Sequence, residues 1–205
     1  MIEVDITKRI KTYRGWEDLR VKTQFEMGKI TRITGPSGVG KTTLLKIIAG
    51  LITPEAGTIK FNGDTWFDGE KKFSKKIQDR KVGFVFQDYA LFPNMTVEAH
   101  LAYGTKDQTY INELLHLGEM ENFRQHLPHQ LSGGQQQRLA ILRALSTKPV
   151  LLLMDESFSA LDKELKGKLM AKLHDLFLVQ GTTVLVVTHH DEVFDSSSAL
   201  FSLED

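Results

Sequence analysis

The sequence predicts an α/β fold with a parallel sheet core, an inserted helical subdomain and an N-terminal antiparallel β region. In the last third of the chain, strand patterns rich in Val, Ile and Leu alternate with helical ones, which is typical of a parallel sheet covered on both faces. The first third consists mainly of strand patterns and turn signals. The pattern between residues 88 and 145 is helical instead. We therefore expect one domain over residues 1–205, with residues 1–87 and 146–205 in the core and residues 88–145 in the subdomain.

Strands and turns follow one another through the first third. Residues 1–10 and 19–26 alternate apolar and polar side chains, which indicates strands. KITRIT is a strand pattern that leads into a glycine-rich loop and the helical run KTTLLKIIAGL. TIKF is a short strand between the turn signals PEAG and NGD. RKVGFVFQ has the pattern of a buried strand that ends at Gln87.

Helical patterns dominate the middle of the chain, and strands return after it. INELLHLGEM and QQQRLAILRAL are helical. The remaining elements in order are the strand VLLLM, the helix KELKGKLMAKLHDLFLVQ, the strand TTVLVVT and a final segment SALFSL. In such folds phosphates bind at the carboxyl edge of the parallel sheet, so the loops that follow its strands are the candidate site.

Composition narrows the class of protein. The chain has 26 basic and 26 acidic residues, so its net charge is zero, which argues against a protein whose main task is to neutralise a nucleic-acid backbone. It has no cysteine, which excludes disulfides and thiolate chemistry. The N-terminus has no signal-peptide pattern, and the apolar runs VLLLM and VLVV are too short for a membrane helix. We expect a cytoplasmic protein that reaches a membrane only through a partner.

A phosphate-binding loop is predicted after the KITRIT strand. GPSGVGKT, residues 35–42, matches the pattern G-x-x-x-x-G-K-S/T. Its glycines let backbone N–H groups turn towards phosphate oxygens, Lys41 would reach the β- and γ-phosphates, and the Thr42 hydroxyl would bind Mg²⁺. The alternative is an accidental glycine-rich turn, which the placement between strand and helix disfavours. The residues expected to bind ATP are Gly35, Pro36, Ser37, Gly38, Val39, Gly40, Lys41, Thr42 and Thr43.

Two carboxylates follow the apolar strand LLLM. Asp155 is placed to hold Mg²⁺ through water, and Glu156 suits a general base that takes a proton from the water attacking the γ-phosphate. An Asp-Glu pair after a strand is usually only a solvated loop start. Downstream of a phosphate loop we favour the catalytic interpretation, because a protein with such a loop and no such carboxylate tends to bind or switch more than hydrolyse. The pair therefore indicates ATP hydrolysis.

A second anion-binding helix start is indicated by LSGGQQQR. A serine and two glycines run directly into a helical segment, and adjacent glycines are a costly way to begin a helix unless something approaches the backbone closely. With this motif added, the chain resembles the ATP-binding subunit of ABC transporters over essentially its whole length. The alternative for LSGGQ is a plain glycine-rich helix cap. The resemblance implies a signature that contacts ATP held by the partner chain of a dimer, formed by Leu131, Ser132, Gly133, Gly134 and Gln135.

The resemblance also assigns catalytic roles. Gln87 matches a glutamine that contacts Mg²⁺ and links the core to the helical subdomain, and His189 matches a histidine that touches the γ-phosphate. Taken alone, Gln87 could be a polar strand end and His189 a hydrogen-bonded residue near a sheet edge. On this basis the catalytic residues are Glu156, His189, Lys41 and Gln87, and the magnesium ligands are Thr42, Gln87 and Asp155.

Two contact regions follow from the resemblance alone. A loop at the dimer interface is implied at Ser159, Ala160, Leu161 and Asp162. Tyr13 is the aromatic expected to stack on the adenine ring, with Trp16 as its rival. A surface aromatic in an N-terminal hairpin needs no ligand, however.

The chain departs from the family pattern at two positions. Ser157 follows Glu156 where the family commonly has proline, which leaves a backbone dihedral less fixed. His190 follows His189 where aspartate is common, which removes a negative charge. Neither change removes a group that the chemistry requires. Because only SSSALFSLED follows this region, we expect no fused C-terminal regulatory domain.

Taken together, the motifs predict the ATPase subunit of a transporter, peripheral on the cytoplasmic face of the inner membrane. It would use ATP and Mg²⁺ as a homodimer beneath membrane-spanning permease subunits, with an extracytoplasmic solute-binding protein as a further partner. RKVGFVFQDYALFPNMTVEAHLAYG resembles import ATPases, especially those for molybdate and related oxyanions or polyamines. The alternatives are an ABC ATPase without a membrane partner that acts on nucleic acid or ribosomes, and a nucleotide-dependent switch without turnover. No direct nucleic-acid partner is expected.

Overall fold

Two five-stranded sheets, one parallel and one antiparallel, form the frame of the described part of the chain. The structure is a computed structural model, and it describes residues 1–12, 15–158, 163–188 and 198–203. The strands are β1 (Ile2–Thr12), β2 (Gly15–Phe25), β3 (Ile30–Thr34), β4 (Ala56–Phe61), β5 (Asp64–Asp68), β6 (Phe73–Ser74), β7 (Val82–Val85), β8 (Leu151–Asp155), β9 (Thr183–Val187) and β10 (Ala199–Ser202). The α-helices are α1 (Lys41–Ala49), α2 (Val97–Gly104), α3 (Gln108–Leu117), α4 (Gly133–Ser146) and α5 (Lys163–Gln180). Short 3-10 helices lie at Ile77–Asp79, Glu121–Phe123 and Pro128–Gln130.

The parallel sheet has the strand order β10-β3-β9-β8-β7. Every residue of the central strands β8 and β9 is buried, which explains their unbroken apolar sequences, because neither face of these strands meets water. Along β8, Leu151 and Leu153 pack into one core with α1 and the antiparallel sheet, whereas Leu152 and Met154 pack into a second core with α4 and α5. The predicted parallel sheet with both faces covered is confirmed.

The antiparallel sheet has the strand order β2-β1-β4-β5-β6. β1 and β2 form a long hairpin in register from Ile2 opposite Phe25 onward. Asn62 and Gly63 have left-handed backbone angles (φ 49° and 81°) and make the tight turn between β4 and β5. The N-terminal antiparallel region is thus confirmed, although the sequence analysis missed β5 and the two-residue edge strand β6.

The predicted helical insertion lies between β7 and β8. Side-chain oxygens cap its helices: Thr96 accepts from the N–H of Ala99 at the start of α2, and Asp107 accepts from the N–H of Tyr110 at the start of α3. The limits of residues 88–145 stay a prediction, and α4 ends one residue beyond them at Ser146. Among the helices in the described ranges, none has the length and apolar character to cross a membrane.

Candidate nucleotide-binding site

The phosphate loop lies between β3 and α1 and depends on glycine at its two ends. At Gly35 (φ 142°) a side chain would have its Cβ 2.2 Å from the carbonyl oxygen of Leu203. At Gly40 (φ 107°), which precedes α1, a Cβ would lie 3.1 Å from Leu19 and 3.2 Å from Ile10 of the β1–β2 hairpin. Only glycine fits both the backbone angles and the space. The hairpin therefore packs directly over the start of α1, whose first N–H groups have no partner within a helix.

A cavity of about 470 Å³ opens at this end of α1. It brings residues of the phosphate loop together with two residues that follow other strands of the parallel sheet. Its lining consists of Ser37, Gly38, Gly40, Lys41, Thr42, Thr43, Gln87 and Glu156. All eight lining residues are positions predicted to bind phosphate, hold the metal or act in catalysis, and they share one cavity at the carboxyl edge of the sheet.

Lys41 is folded back onto the phosphate loop. Its Nζ donates to the carbonyl oxygens of Gly35 at 2.8 Å and Pro36 at 2.7 Å. Burial lowers the pKa of Lys41, and the nearby carboxylates of Glu156 and Asp155 partly oppose that shift. The ammonium is buried and satisfied by the backbone of its own loop.

Asp155 lies at the end of β8 and is hydrogen-bonded to Thr42, a lining residue, although it does not itself line the cavity. It is 3% exposed, and its Oδ1 accepts a hydrogen bond from Thr42 Oγ1 at 3.0 Å. Burial raises the pKa of Asp155, and the bond from Thr42 opposes that rise. The hydroxyl and the carboxylate form a pair of oxygen donors, which suits a hard cation such as Mg²⁺.

Glu156 has a left-handed backbone, with φ 48°. Its N–H donates to the carbonyl of Val187 at the end of β9, at 3.1 Å. Its Oε2 accepts from Gln87 Nε2 at 3.0 Å, although the two residues are 69 positions apart. A non-glycine residue with this backbone persists only where the surroundings hold it, which is common at functional sites.

Ser157 is better anchored than its sequence position suggests. The side chain is buried, and its hydroxyl donates to the carbonyls of Asp155 at 3.3 Å and Val85 at 3.5 Å. From the sequence, the missing proline ring predicts only a looser backbone at this position. The hydroxyl instead connects the end of β8 to the end of β7, a contact that no sequence pattern indicates.

The signature segment forms the start of α4. The Ser132 hydroxyl accepts from the N–H of Gln135 at 3.3 Å, and the Gln135 side chain accepts from the N–H of Ser132 at 2.8 Å. Leu131 is buried in the helical core, whereas Ser132 is exposed. None of residues 131–135 lines the phosphate cavity. Within one chain, the predicted signature therefore does not share the cavity of the predicted phosphate loop.

Several predicted positions cannot be compared with the structure. Tyr13, His189, His190 and the interface loop of Ser159, Ala160, Leu161 and Asp162 lie outside the described residues. Trp16 is described; it is 63% exposed, lies under the Arg9 guanidinium at 5.6 Å and does not line the phosphate cavity. The choice between Tyr13 and Trp16 stays open.

The buried carboxylate of Asp155 predicts a pH-dependent difference in stability. Because its folded pKa is raised above its unfolded value, ionisation of Asp155 costs stability once the pH rises through the folded pKa. Asp155→Asn keeps an oxygen for Thr42 and removes the ionisation. Without nucleotide and Mg²⁺, the variant should gain in unfolding free energy over wild type as the pH rises above about 4, the pKa of an unfolded Asp, towards the raised folded pKa.

Urea unfolding at a series of pH values measures this difference. Asp79→Asn, at an exposed side chain of the 3-10 helix Ile77–Asp79, is the control. A difference between Asp155→Asn and wild type that stays constant with pH would contradict the expectation.

Comparison with known proteins identifies the family. The profile described as ABC transporter matches residues 19–159. The chain is similar to the probable sulfate/thiosulfate import ATP-binding protein CysA of Chlorella vulgaris, at 39% identity over 98% of this chain and 86% of that protein. It is also similar to CysA of Neisseria meningitidis serogroup B, at 44% identity over 80% of this chain and 48% of that protein. The chain thus spans most of the first relative and about half of the second.

Solved structures give the same result. A dimeric structure of a bacterial ABC transporter cassette matches with a TM-score of 0.83 and 34% identity, over 100% of this chain and 94% of that one. A dimeric cassette in a post-hydrolysis state, bound to ADP and Pi, matches with a TM-score of 0.79 and 35% identity, over 94% of this chain and 90% of that one. The chain belongs to the ABC transporter family, as an ATP-binding subunit that hydrolyses ATP.

Proposed function

We propose that the protein powers the import of a tetrahedral oxyanion by hydrolysing ATP between two copies of its own chain. The observation that carries the proposal is the meeting of Lys41, Thr42, Gln87 and Glu156 around one cavity at the carboxyl edge of the sheet. These side chains supply a cation for phosphate, oxygen ligands for a metal and a carboxylate base within one volume.

Phosphate binding is the first step of the proposed cycle. The N–H groups at the start of α1 and the backbone of residues 35–43 would surround the phosphates, as the helix dipole favours. Lys41 would exchange its bonds to the carbonyls of Gly35 and Pro36 for bonds to the β- and γ-phosphates. Both sets of partners are oxygen acceptors, so the ammonium stays satisfied throughout.

Magnesium fits the donors present at the bottom of the cavity. Thr42 through its hydroxyl, Gln87 through its amide oxygen and Asp155 through water would hold the ion, which when bound offsets the negative charge of the β- and γ-phosphates. The bond between Thr42 and Asp155 keeps two of these donors together at 3.0 Å.

Glu156 is the proposed general base. Its carboxylate would take a proton from the water that attacks the γ-phosphorus, while the bond from that phosphorus to the oxygen of ADP breaks. The bond from Gln87 orients the carboxylate within the cavity. His189 would contact the γ-phosphate, as the family resemblance implies.

A second copy of the chain completes the proposed site. Ser132, Gly133 and Gly134 lie away from the phosphate cavity of their own chain, yet they form a helix start suited to an anion. In a two-fold arrangement each signature would face the γ-phosphate bound by the partner. The residues at 159–162 would lie at this interface, and Tyr13 or Trp16 would stack on adenine. The dimeric solved structures of related cassettes support this arrangement.

Transport requires partners that this chain does not contain. We infer a membrane-spanning permease and an extracytoplasmic solute-binding protein, with this subunit held at the cytoplasmic face of the membrane. The relatives from Chlorella and Neisseria are named for sulfate and thiosulfate import, which favours these anions over molybdate or polyamines. The absence of a basic excess also disfavours action on nucleic acid.

Glu156→Gln tests the proposed base. The substitution keeps the shape of the side chain and removes its basicity, so ATP hydrolysis should fall by at least about a hundredfold. ATP should still bind, and an ATP-bound dimer should accumulate on gel filtration. Glu164→Gln, at a side chain that is 80% exposed on α5, is the control. Normal turnover in Glu156→Gln would rule out the assignment.

Two defective chains test whether the site is shared. Lys41→Ala and Ser132→Arg are mixed with different tags, and the heterodimer is isolated. If each site uses Lys41 of one chain and Ser132 of the other, one of its two sites carries both changes and the other carries neither. The heterodimer should then trap ATP at one site, whereas each parent homodimer traps none. No trapping in the heterodimer would mean that each chain serves its own site.

We also propose that the apolar segment after Gln87, with Phe92 exposed on it, receives a short helix of the permease, and Phe92→Ala tests this contact. Tyr89 and Leu91 pack against the helical core, whereas Phe92 is 36% exposed and contacts the ring of Tyr103 at 5.3 Å. With the permease present, Phe92→Ala should lower uptake of labelled sulfate by about tenfold, as loss of an aromatic anchor does, and should affect the ATPase of the isolated subunit much less. Phe73→Ala on β6, at a side chain that is 45% exposed, is the control. Unchanged uptake, or a collapse of the melting temperature, would contradict the docking role.

A further inference from the structure

A strained turn follows Gln87. Tyr89 and Ala90 both have left-handed backbone angles, with φ 63° and 45°. A residue with a Cβ rarely adopts this conformation, and two in succession are rarer because each costs free energy. The turn has local bonds, from the N–H of Tyr89 to the carbonyl of Phe86 and from that of Ala90 to Asp88. Such a conformation persists only where further contacts hold it.

Arg143 supplies those contacts from the last turn of α4. Its Nη2 donates to the carbonyl of Tyr89 at 3.0 Å, and its Nη1 donates to the carbonyl of Ala90. The two left-handed residues thus present successive carbonyls to one planar guanidinium, a geometry that arginine matches and lysine does not. The guanidinium also lies 5.2 Å from the centre of the Phe92 ring.

His100 fixes the far end of the same segment. It is fully buried, and its Nε2 accepts the N–H of Phe92 at 2.9 Å while its Nδ1 lies 2.8 Å from the carbonyl of Thr96. The ring must therefore be neutral, with its proton on Nδ1. The turn is anchored on both sides, so its position depends on α4 and α2.

α4 connects this turn to the signature. The helix begins at Gly133, directly after Ser132, and carries Arg143 in its last turn. At the rise of an α-helix, Gly133 and Arg143 lie about 15 Å apart along one rigid element. A shift of α4 therefore moves the guanidinium and the two carbonyls that it binds.

We propose that Arg143 is a positioning residue that holds the left-handed turn at Tyr89 and Ala90 and thereby fixes Gln87 against Glu156. Through Arg143, α4, which begins at the signature, determines the position of Gln87 in the phosphate cavity. The inference rests on the proposed function, in which Gln87 and Glu156 serve hydrolysis.

Arg143→Met removes both donors and keeps the length of the side chain. Hydrogen exchange of the peptide covering residues 86–95 should become faster. The kcat for ATP hydrolysis should fall by about tenfold, as expected for a misplaced catalytic group, while KM changes by less than about twofold. Arg20→Met, which removes an arginine paired with Asp18 on β2, outside the helical insertion, is the control and should change neither quantity.

Ala90→Gly in the Arg143→Met background separates positioning from general stability. Glycine adopts the left-handed conformation without steric cost, so the turn should re-form without the guanidinium. The double variant should recover slow exchange and a kcat within about threefold of wild type, which a merely structural loss would not allow. If Arg143→Met does not fold, Arg143→Lys takes its place, because a single ammonium cannot reproduce the planar fork.

Unchanged exchange in Arg143→Met would overturn the inference, since the turn would then hold without the guanidinium. A loss of kcat that Ala90→Gly does not restore would overturn it as well. Faster exchange with normal kcat would also overturn the positioning role. Gln87→Ala is measured in parallel. If kcat is normal in both Gln87→Ala and Arg143→Met, the proposed function of Gln87 fails. If kcat falls in Gln87→Ala but stays normal in Arg143→Met, only the positioning role of Arg143 fails.

Discussion

A hydrogen bond across 113 positions of sequence, from the Thr42 hydroxyl to the Asp155 carboxylate, joins the two parts of the chain on which the site depends. Thr42 belongs to α1 and Asp155 to β8, and the apolar residues of β8 that face α1 determine their distance. Leu151 and Leu153 pack with α1, so the helix can lie only where its first turn reaches the end of the strand. The phosphate loop, the proposed metal ligands and the proposed base all take their positions from this packing.

Local sequence patterns were sufficient to predict much of this arrangement. Alternation and apolar runs predicted the strands of the core, and the segment KELKGKLMAKLHDLFLVQ coincides with α5 at Lys163–Gln180. The phosphate loop was predictable because its glycines meet steric demands within a few residues of sequence. β5 and β6 were missed because DTWFD and FS are too short and too polar to carry a period-two pattern.

Long-range contacts could not be predicted in the same way. The bond between Gln87 and Glu156 and the clamp of Arg143 on the turn after Gln87 join residues that are far apart in sequence. An arginine near the end of a helix has no local mark that separates a solvated side chain from one that holds a distant loop. The burial of Ser157 was equally invisible, because a serine after an acid pair is ordinary in an exposed loop. His189, the loop at residues 159–162 and the adenine contact stay predictions.

The two hydrogen bonds from Lys41 to the carbonyls of its own loop have a consequence for anion selectivity. An ammonium already satisfied by two carbonyls gives little to a single phosphate or sulfate ion, which would have to displace both partners for one new contact. A triphosphate offers several oxygens at once, together with the helix start and the metal ligands. The two hydrogen bonds of Lys41 thus set a threshold that favours a triphosphate over a small oxyanion, which on the proposed function would include the transported anion itself.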